Sequence, residues 1–282
     1  MSFLTPSGVN DFLPEDSLHF DQICQQINEV FSAYGCQKIQ TPTLEFYDSL
    51  AVALGDDLSQ IAIKFFDPLG RLMVLRPDHT VAIARLVATH MKSAQFPLKL
   101  SYFNPIFRSQ LLDGDAEQFQ AGVEWIGATG AQADAALIRL CIDSMKALGC
   151  SDFRLDIGHV DFMRDVSPQS QEALLLGDYV ALGYLPKRGK LEVVESYPYL
   201  KAVYQDLCAT GHDRFVYFNQ GLVKGVGYYT GIIFEGILPD FAQCVVSGGR
   251  YDGLMSRFGF DQPAVGFAIN LSLLSAKREL HV

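Results

Sequence analysis

The sequence has no CxxC pair: its six cysteines, Cys24, Cys36, Cys141, Cys150, Cys208 and Cys244, are scattered along the chain. That spacing excludes a zinc knuckle and a disulfide-rich secreted scaffold, and the thiols read as buried or idle. Apolar runs are short as well. None approaches the roughly 20 residues that a bilayer span needs, and the N-terminus MSFLTPSGVNDFLP has neither the basic start nor the apolar stretch of a leader peptide. The expectation is a cytoplasmic protein with no membrane contact.

Positive charge is scarce. There are 22 Lys and Arg against 32 Asp and Glu, a net charge of −10, and no basic run is longer than Lys187-Arg188 or Lys277-Arg278. A polyanion is held by clustered cations whose counterion release drives binding, so the composition disfavours a nucleic-acid partner. Six histidines form no HExxH or other ligand spacing, and neither GxSxG nor GxxxxGK[ST] occurs. No GxGxxG follows a strand-like run either. Metal sites, a nucleophile elbow and phosphate-cradling loops therefore have no support, and no cofactor is expected.

What is present suits one large domain or one domain carrying an insertion: 282 residues, 49% hydrophobic and 19% charged. Apolar residues recur at helical spacing from Asp16 to Gly35, with Asp16 or Ser17 as the expected N-cap and Gly35 as the stop. Lys38 to Pro42 reads as a short extended run at a sheet edge or end. Ile63 to Phe66 and Leu72 to Leu75 flank Asp67-Pro68-Leu69-Gly70, which is a hairpin signal. Helical spacing returns from Asp78 to about Ala94, and Leu98 to Phe107 and Phe119 to Gly127 read as strands. Ala131 to Leu148 is the clearest helix, capped by Gly149. After a strand at Phe153 to Ile157, residues 160–211 are mainly helical with a break at Leu185-Pro186-Lys187, and are expected to form an inserted region. Strands are expected again at Phe215 to Phe218, Tyr228 to Phe234 and Gln243 to Val246, and Ala264 to Leu274 runs from strand into helix. Hairpins outnumber crossovers, so the class is α+β with a mostly antiparallel sheet. Regular βαβ alternation is absent, which argues against a dinucleotide-binding fold.

Four strings stand out in order: Leu75-Arg76-Pro77-Asp78-His79-Thr80, Tyr102 to Arg108, Gly225-Val226-Gly227-Tyr228-Tyr229-Thr230-Gly231, and Ser247-Gly248-Gly249-Arg250-Tyr251-Asp252-Gly253-Leu254. Each alone could be a turn beside a strand. Together with Thr5 to Pro14, Tyr34-Gly35…Thr41 to Glu45 and Pro263 to Ile269, they resemble the catalytic domain of the histidyl-tRNA synthetase family of class II aminoacyl-tRNA synthetases. The resemblance covers nearly the whole chain. It implies an antiparallel sheet flanked by helices, with a helical insertion, and a self-dimer formed through the first helix and the Pro42 strand. It also implies a histidine pocket made by Asp78, Thr80, Gln120, Glu124, Tyr228 and Tyr229. That set suits histidine chemically. Carboxylates pair with an ammonium group and accept an imidazole N–H, amides and hydroxyls serve a ring that both donates and accepts, and tyrosines give apolar walls with polar tips. Asp78 is one methylene shorter than the family's Glu, and Asp is also a favoured helix N-cap.

The ATP side departs from the family. Arg108 is kept, and with Lys224 and Arg250 it is a candidate anion contact, but Gln110 replaces a Glu. The loop from Leu111 to Gln118 carries Asp113, Asp115 and Glu117 with no cation. Such a loop repels a triphosphate. Lys224 stands where the family has an arginine, keeping the charge and losing the planar fork. Leu273 stands where active members stack an arginine on adenine, and the chain ends at Val282 without room for an anticodon-binding domain. A pocket kept while ATP groups are lost resembles the synthetase paralogues that serve as regulatory subunits of short-form ATP phosphoribosyltransferase. That resemblance implies no catalysis by this chain, a hetero-oligomer with a short catalytic subunit, activation of that subunit, and feedback inhibition by histidine in the first step of histidine biosynthesis. The alternative from a different class is an amino-acid-activating ligase.

Overall fold

The computed structural model describes residues 4–109, 115–164, 166–223, 229–241 and 243–275. The chain opens with helix α1 (Pro14–Ala33), followed by strands β1 (Gln37–Lys38) and β2 (Leu44–Phe46). Next come helix α2 (Tyr47–Ile61), the hairpin β3 (Lys64–Phe66) and β4 (Leu72–Leu75), and helix α3 (His79–His90). Two long strands, β5 (Leu98–Phe107) and β6 (Glu117–Ile126), lead into helix α4 (Gly130–Ala147) and strand β7 (Arg154–His159). Residues 160–211 then hold helices α5 (Pro168–Leu176), α6 (Tyr179–Leu182), α7 (Leu191–Val194) and α8 (Pro198–Ala209), with strand β8 (Arg188–Gly189) placed between α6 and α7. Strands β9 (Val216–Asn219), β10 (Ile232–Ile237), β11 (Val246–Arg250) and β12 (Ala264–Asn270) and the short helix α9 (Leu271–Ser275) complete it.

Nine strands form one sheet in the order β1-β5-β6-β12-β11-β10-β7-β9-β8, and β2-β4-β3 form a second, small sheet. Only β1 with β5 and β7 with β9 pair parallel; the other described pairs are antiparallel. The expected α+β class is therefore what the chain builds. No helix among the described residues is long and apolar enough to cross a membrane.

The two-residue period of a strand divides the sheet into faces with different tasks. On β6, Ala121, Val123 and Trp125 join the main core beneath α1, α4 and α8, while Gln118, Gln120, Gly122 and Glu124 point the other way. On β12, Val265, Phe267 and Ile269 belong to that same core. Helix α1 contributes Ile23, Ile27 and Phe31, all fully buried, each worth about 1.5–3 kcal/mol of apolar transfer. A second core, around Leu50, Leu54, Ile83, Val87 and Leu100, packs α2 and α3 against the opposite face.

Several boundaries differ from the sequence expectation. Helix α1 starts three or four residues earlier than expected: Leu13 is the N-cap residue and Pro14 takes the first helical position, leaving Asp16 in the first turn. Proline fits there because its missing N–H would have no intrahelical partner, and Asp16 complements the helix dipole instead of capping. Gly35 does end the helix, with φ of 80°. The strand expected at Gln243 to Val246 instead begins at Val246 and runs through Gly248 and Gly249. Those glycines belong inside a strand because neighbours press on them: a Cβ on Gly248 would sit 2.5 Å from the Gly266 carbonyl oxygen.

Pro42 lies outside both sheets and acts through its carbonyl. Arg76, 1% exposed at the end of β4, donates from Nη1 to the carbonyls of Thr41 (2.8 Å) and Pro42 (2.9 Å) and from Nη2 to Pro105 (2.7 Å). Its own amide donates to the Thr43 carbonyl at 2.9 Å, and its carbonyl accepts from Phe107 at 2.9 Å. One buried guanidinium thus ties three separate segments together.

Candidate functional site

The turn between β4 and α3 begins the site. Pro77 follows the clamped Arg76, and its carbonyl accepts from Arg108 Nε at 2.9 Å. Asp78 then has extended backbone and takes the N-cap position of α3, accepting the Val81 amide at 3.1 Å. The capping role weighed from sequence is real, and it coexists with a second one: Asp78 also lines a cavity of about 330 Å³. Burial raises its pKa, while the Arg108 charge and the amides of Val81 and Thr80 oppose the rise.

Thr80, the second residue of α3, reaches across to the sheet, where its hydroxyl donates to Glu124 Oε1 at 2.7 Å. Tyr251, just past β11, donates its hydroxyl to the other oxygen, Oε2. Both carboxyl oxygens of Glu124 are therefore held by hydroxyls. Burial lifts this carboxyl to about 8, the two hydroxyl bonds work against the rise, and the Asp78 charge adds to it. Hydroxyls can turn to accept when the acid is protonated, so the arrangement tolerates either state. Glu124 is 1% exposed and lies one layer beneath the cavity; the wall in front of it is made by Thr80, Tyr251 and Gly266. Gly266 is required there, because a Cβ would run into the Glu124 carboxyl and approach the Val123 carbonyl to 2.6 Å.

Tyr229 closes the side of the cavity. Its ring lies on Gly249, where an added Cβ would come within 2.6 Å of it, and its hydroxyl hydrogen-bonds Ser247. Burial, with the charges of Asp78 and Glu124, pushes its pKa far up, so it stays a neutral donor. Gln118 and Gln120 supply amides from β6, and Asn270 supplies another from β12, in register with Gln120. Tyr102 lies over Gly122 and forms part of the wall. Behind it, His79 stacks on the Tyr102 ring with centroids 4.1 Å apart. Burial first, and then the Arg76 charge, lowers the His79 pKa to about 3, so its Nε2–H donates to the Asn104 carbonyl at 3.0 Å.

Five of the sequence-predicted pocket residues, Asp78, Thr80, Gln120, Glu124 and Tyr229, converge here. Tyr228 and Lys224 lie outside the described residues, as do Gln110, Leu111 and Asp113. Among the anion candidates, Arg108 lines the cavity and is the only Lys or Arg on its wall among the described residues. Arg250 requires a correction. It is buried on the other face of the sheet, with Nε 3.1 Å from Asp134 Oδ1, a second bond to the same carboxylate from Nη2, and Nη1 on the Ala128 carbonyl (3.0 Å) and Asp252 (3.0 Å). The physical reason is strand alternation: Gly249 and Tyr251 face the cavity, so the residue between them faces α4. Tyr251 itself was missed as a site residue, although that same alternation read through Ser247 to Tyr251 could have found it.

At the far end of the cavity, Asn270 accepts the Leu273 amide at 3.2 Å and starts α9, and the Ser272 hydroxyl accepts the Phe119 amide at 2.9 Å. Leu273 is partly buried against the main core. A hydrocarbon packed there offers no charge to a phosphate. No group of three or more His, Cys, Asp or Glu that could hold a metal ion occurs among the described residues, and Cys244, which is in no disulfide, sits on the cavity wall.

Comparison with known proteins places the fold. The histidyl-tRNA synthetase family profile matches residues 8–175 and 181–274. The ATP phosphoribosyltransferase regulatory subunit of Thermoanaerobacter sp. (strain X514) is 34% identical over a 319-position alignment spanning 97% of this chain and 83% of that protein. A crystal structure described as an ATP phosphoribosyltransferase regulatory subunit/histidyl-tRNA synthetase from Bacillus halodurans C superimposes with a TM-score of 0.89 at 33% identity, covering 98% of this chain and 83% of that one. Apo histidyl-tRNA synthetase from S. aureus gives 0.74 at 26% identity, covering 99% and 71%. The fold and these relatives lead to one placement: the chain belongs to the histidyl-tRNA synthetase family and, within it, to the ATP phosphoribosyltransferase regulatory subunits.

Proposed function

We propose that this chain performs no chemistry of its own, assembles with the short catalytic subunit of ATP phosphoribosyltransferase, activates it, and carries the feedback signal of histidine to it. The observation that carries the reading is the composition of the 330 Å³ cavity, which among the described residues sets one carboxylate, Asp78, and one cation, Arg108, beside tyrosines and amides. Its volume lies at the small end of ligand pockets, roughly 300–1,000 Å³. A zwitterionic amino acid matches such a wall: Asp78 meets the ammonium, Arg108 meets the carboxylate, and Tyr229, Tyr251 and Gln120 surround a ring that donates and accepts. A triphosphate does not match. It needs several cations or a metal opposite its charge, and the described wall holds one arginine that already donates to Pro77.

The effect on the partner is allosteric coupling, since histidine must bind one state of the complex better than another. Couplings of about 1–3 kcal/mol change activity 5- to 150-fold. The assembly includes a self-dimer through the first helix and the Pro42 segment. Exposed apolar side chains there, Leu13 and Leu18 on or beside α1 and Leu44 and Phe46 on β2, support it. Residues 160–211 are read as the helical insertion of the family, and the complex is placed in the cytoplasm, without nucleic acid or membrane.

Purified chain mixed with the catalytic subunit from the same genome tests the proposal. The expected result is a complex by native mass measurement, higher turnover, and inhibition by histidine that is weakened in Glu124→Ala and Tyr229→Ala while assembly persists. No complex and no change in turnover would overturn it. Robust histidine-dependent ATP–pyrophosphate exchange would favour the ligase alternative instead.

A further inference from the structure

A second recess, of about 400 Å³, opens at the C-terminal end of α4, the helix that covers the sheet face opposite the amino-acid cavity. Lys146, Gly149, Ser151, Arg154, Arg214 and Phe215 line it. Three of those six carry positive charge, in a chain whose net charge is −10. They come from three elements: Lys146 from the last turn of α4, Arg154 from the start of β7, and Arg214 from the 3-10 turn Asp213–Phe215. One cation at a helix C-terminus is ordinary complementation of the helix dipole. That accounts for Lys146, which also bonds Asp143 at 3.1 Å. It does not account for the two arginines brought in from elsewhere.

Neither arginine has an ion-pair partner among the described residues. Arg154 donates from Nη1 to the Phe153 carbonyl at 3.0 Å, and Arg214 lies over the Phe215 ring, 4.6 Å from its centroid. The acidic groups nearby are engaged with others. Asp143 accepts from Tyr34 (2.7 Å) and Lys146 and faces His212 (3.1 Å), while Asp213 faces Lys190 at 4.0 Å. Asp152, two positions before Arg154 in sequence, is exposed. The result is a recess lined by two guanidinium groups that lack an ion-pair partner among the described residues and by a shared ammonium, with Ser151 also on its wall.

The chemistry of that set is specific. A guanidinium fork grips two oxygens of one phosphate, and two forks can take two phosphates. A single carboxylate would leave two cations uncompensated, and an extended polyanion needs a continuous basic track that this acidic surface lacks. We propose that the recess is a binding site for the diphosphate group of a small molecule, held by Arg154 and Arg214 with Lys146 supplying the third charge. The proposal is independent of the amino-acid cavity and of the partner subunit.

Titration calorimetry of the full chain with sodium pyrophosphate tests it, run beside ADP, inorganic phosphate and sodium sulfate at matched ionic strength. Saturable pyrophosphate binding is expected, at least tenfold tighter than inorganic phosphate or sulfate. ADP binding at the same site would show that the group is also read when esterified. The Arg154→Gln/Arg214→Gln variant should lose at least tenfold in affinity and Lys146→Gln should lose less. Arg108→Gln, in the other cavity, should bind as the wild type does. The substituted side chains are at the surface or half-buried, so unchanged circular dichroism is expected, and the Lys146→Gln result decides if the double variant fails to fold. Four outcomes would overturn the proposal: no saturable binding, equal binding of sulfate, ADP binding without pyrophosphate binding, or affinity lost in Arg108→Gln and kept in the double variant.

Discussion

Thr80 and Glu124 are 44 positions apart in sequence, on a helix and on a strand, and the hydroxyl of one donates to the carboxyl of the other at 2.7 Å. That bond joins α3 to the central strand β6 and sets the floor of the cavity. With Tyr251 on the second oxygen, it holds a carboxyl group whose burial keeps it largely protonated near neutral pH.

The first prediction concerns pH. The folded pKa of Glu124 is raised to about 8 from an ordinary value of 4.5, so between these two values the folded chain binds more protons than the unfolded one. Its contribution to stability therefore falls as pH rises through that window and levels off above it, at about 1.4 kcal/mol for each pH unit as an upper bound. Glu124→Gln removes the titration. Urea midpoints measured from pH 5 to pH 9 should fall more steeply for wild type than for the variant, and parallel curves would contradict the assignment.

Asp78 has two roles that two substitutions separate. Asparagine caps helices about as well as aspartate, whereas alanine costs about 1 kcal/mol at a cap. Asp78→Asn should therefore stay within about 0.5 kcal/mol of wild type in stability, consistent with the near-equal cap ranking, while losing at least tenfold in histidine affinity. Asp78→Ala should lose both. Calorimetry and thermal melts on the pair of variants give the comparison.

Gly266→Ala places a methyl group against the Glu124 carboxyl and the Val123 carbonyl in the centre of the sheet. Overpacking of this kind costs about 1–3 kcal/mol. A lower denaturation midpoint is expected, together with loss of histidine binding because Glu124 must move.

Arg250 and Asp134 form a buried pair, with Tyr199 donating to the second Asp134 oxygen at 2.7 Å. Removing one partner leaves an uncompensated buried charge, at a cost of about 3–5 kcal/mol. Arg250→Met should be destabilised on that scale, and Arg250→Met with Asp134→Leu should recover part of the loss. Histidine affinity in any folded fraction should be unaffected, since neither side chain faces the cavity.

The class, the hairpin at Asp67 to Gly70, α4 and the central strands were legible because their apolar residues repeat at the helical or the strand period. The pocket was legible in part. Asp78, Thr80, Gln120, Glu124 and Tyr229 lie in strings whose spacing matches a known family, and all five meet at or beneath one cavity. What the sequence concealed follows from three-dimensional facts. Helix α2 has Gly55 at φ 69° inside it, which interrupts its pattern. The glycines of β11 look like a turn until the Tyr229 ring is laid across Gly249. Arg250 resembled an anion contact because its string is read as a block, whereas in a strand every second side chain turns away.

The Arg76 clamp has a mechanical consequence. Its guanidinium, 1% exposed, satisfies carbonyls of Thr41, Pro42 and Pro105, and an orphaned buried cation is costly. Displacing the Thr41–Pro42 stretch would drag Arg76 along instead of stranding it. Asp78 is only two residues further on, so a push delivered at that outlying stretch arrives at the lip of the amino-acid chamber as a shift of its one wall carboxylate among the described residues.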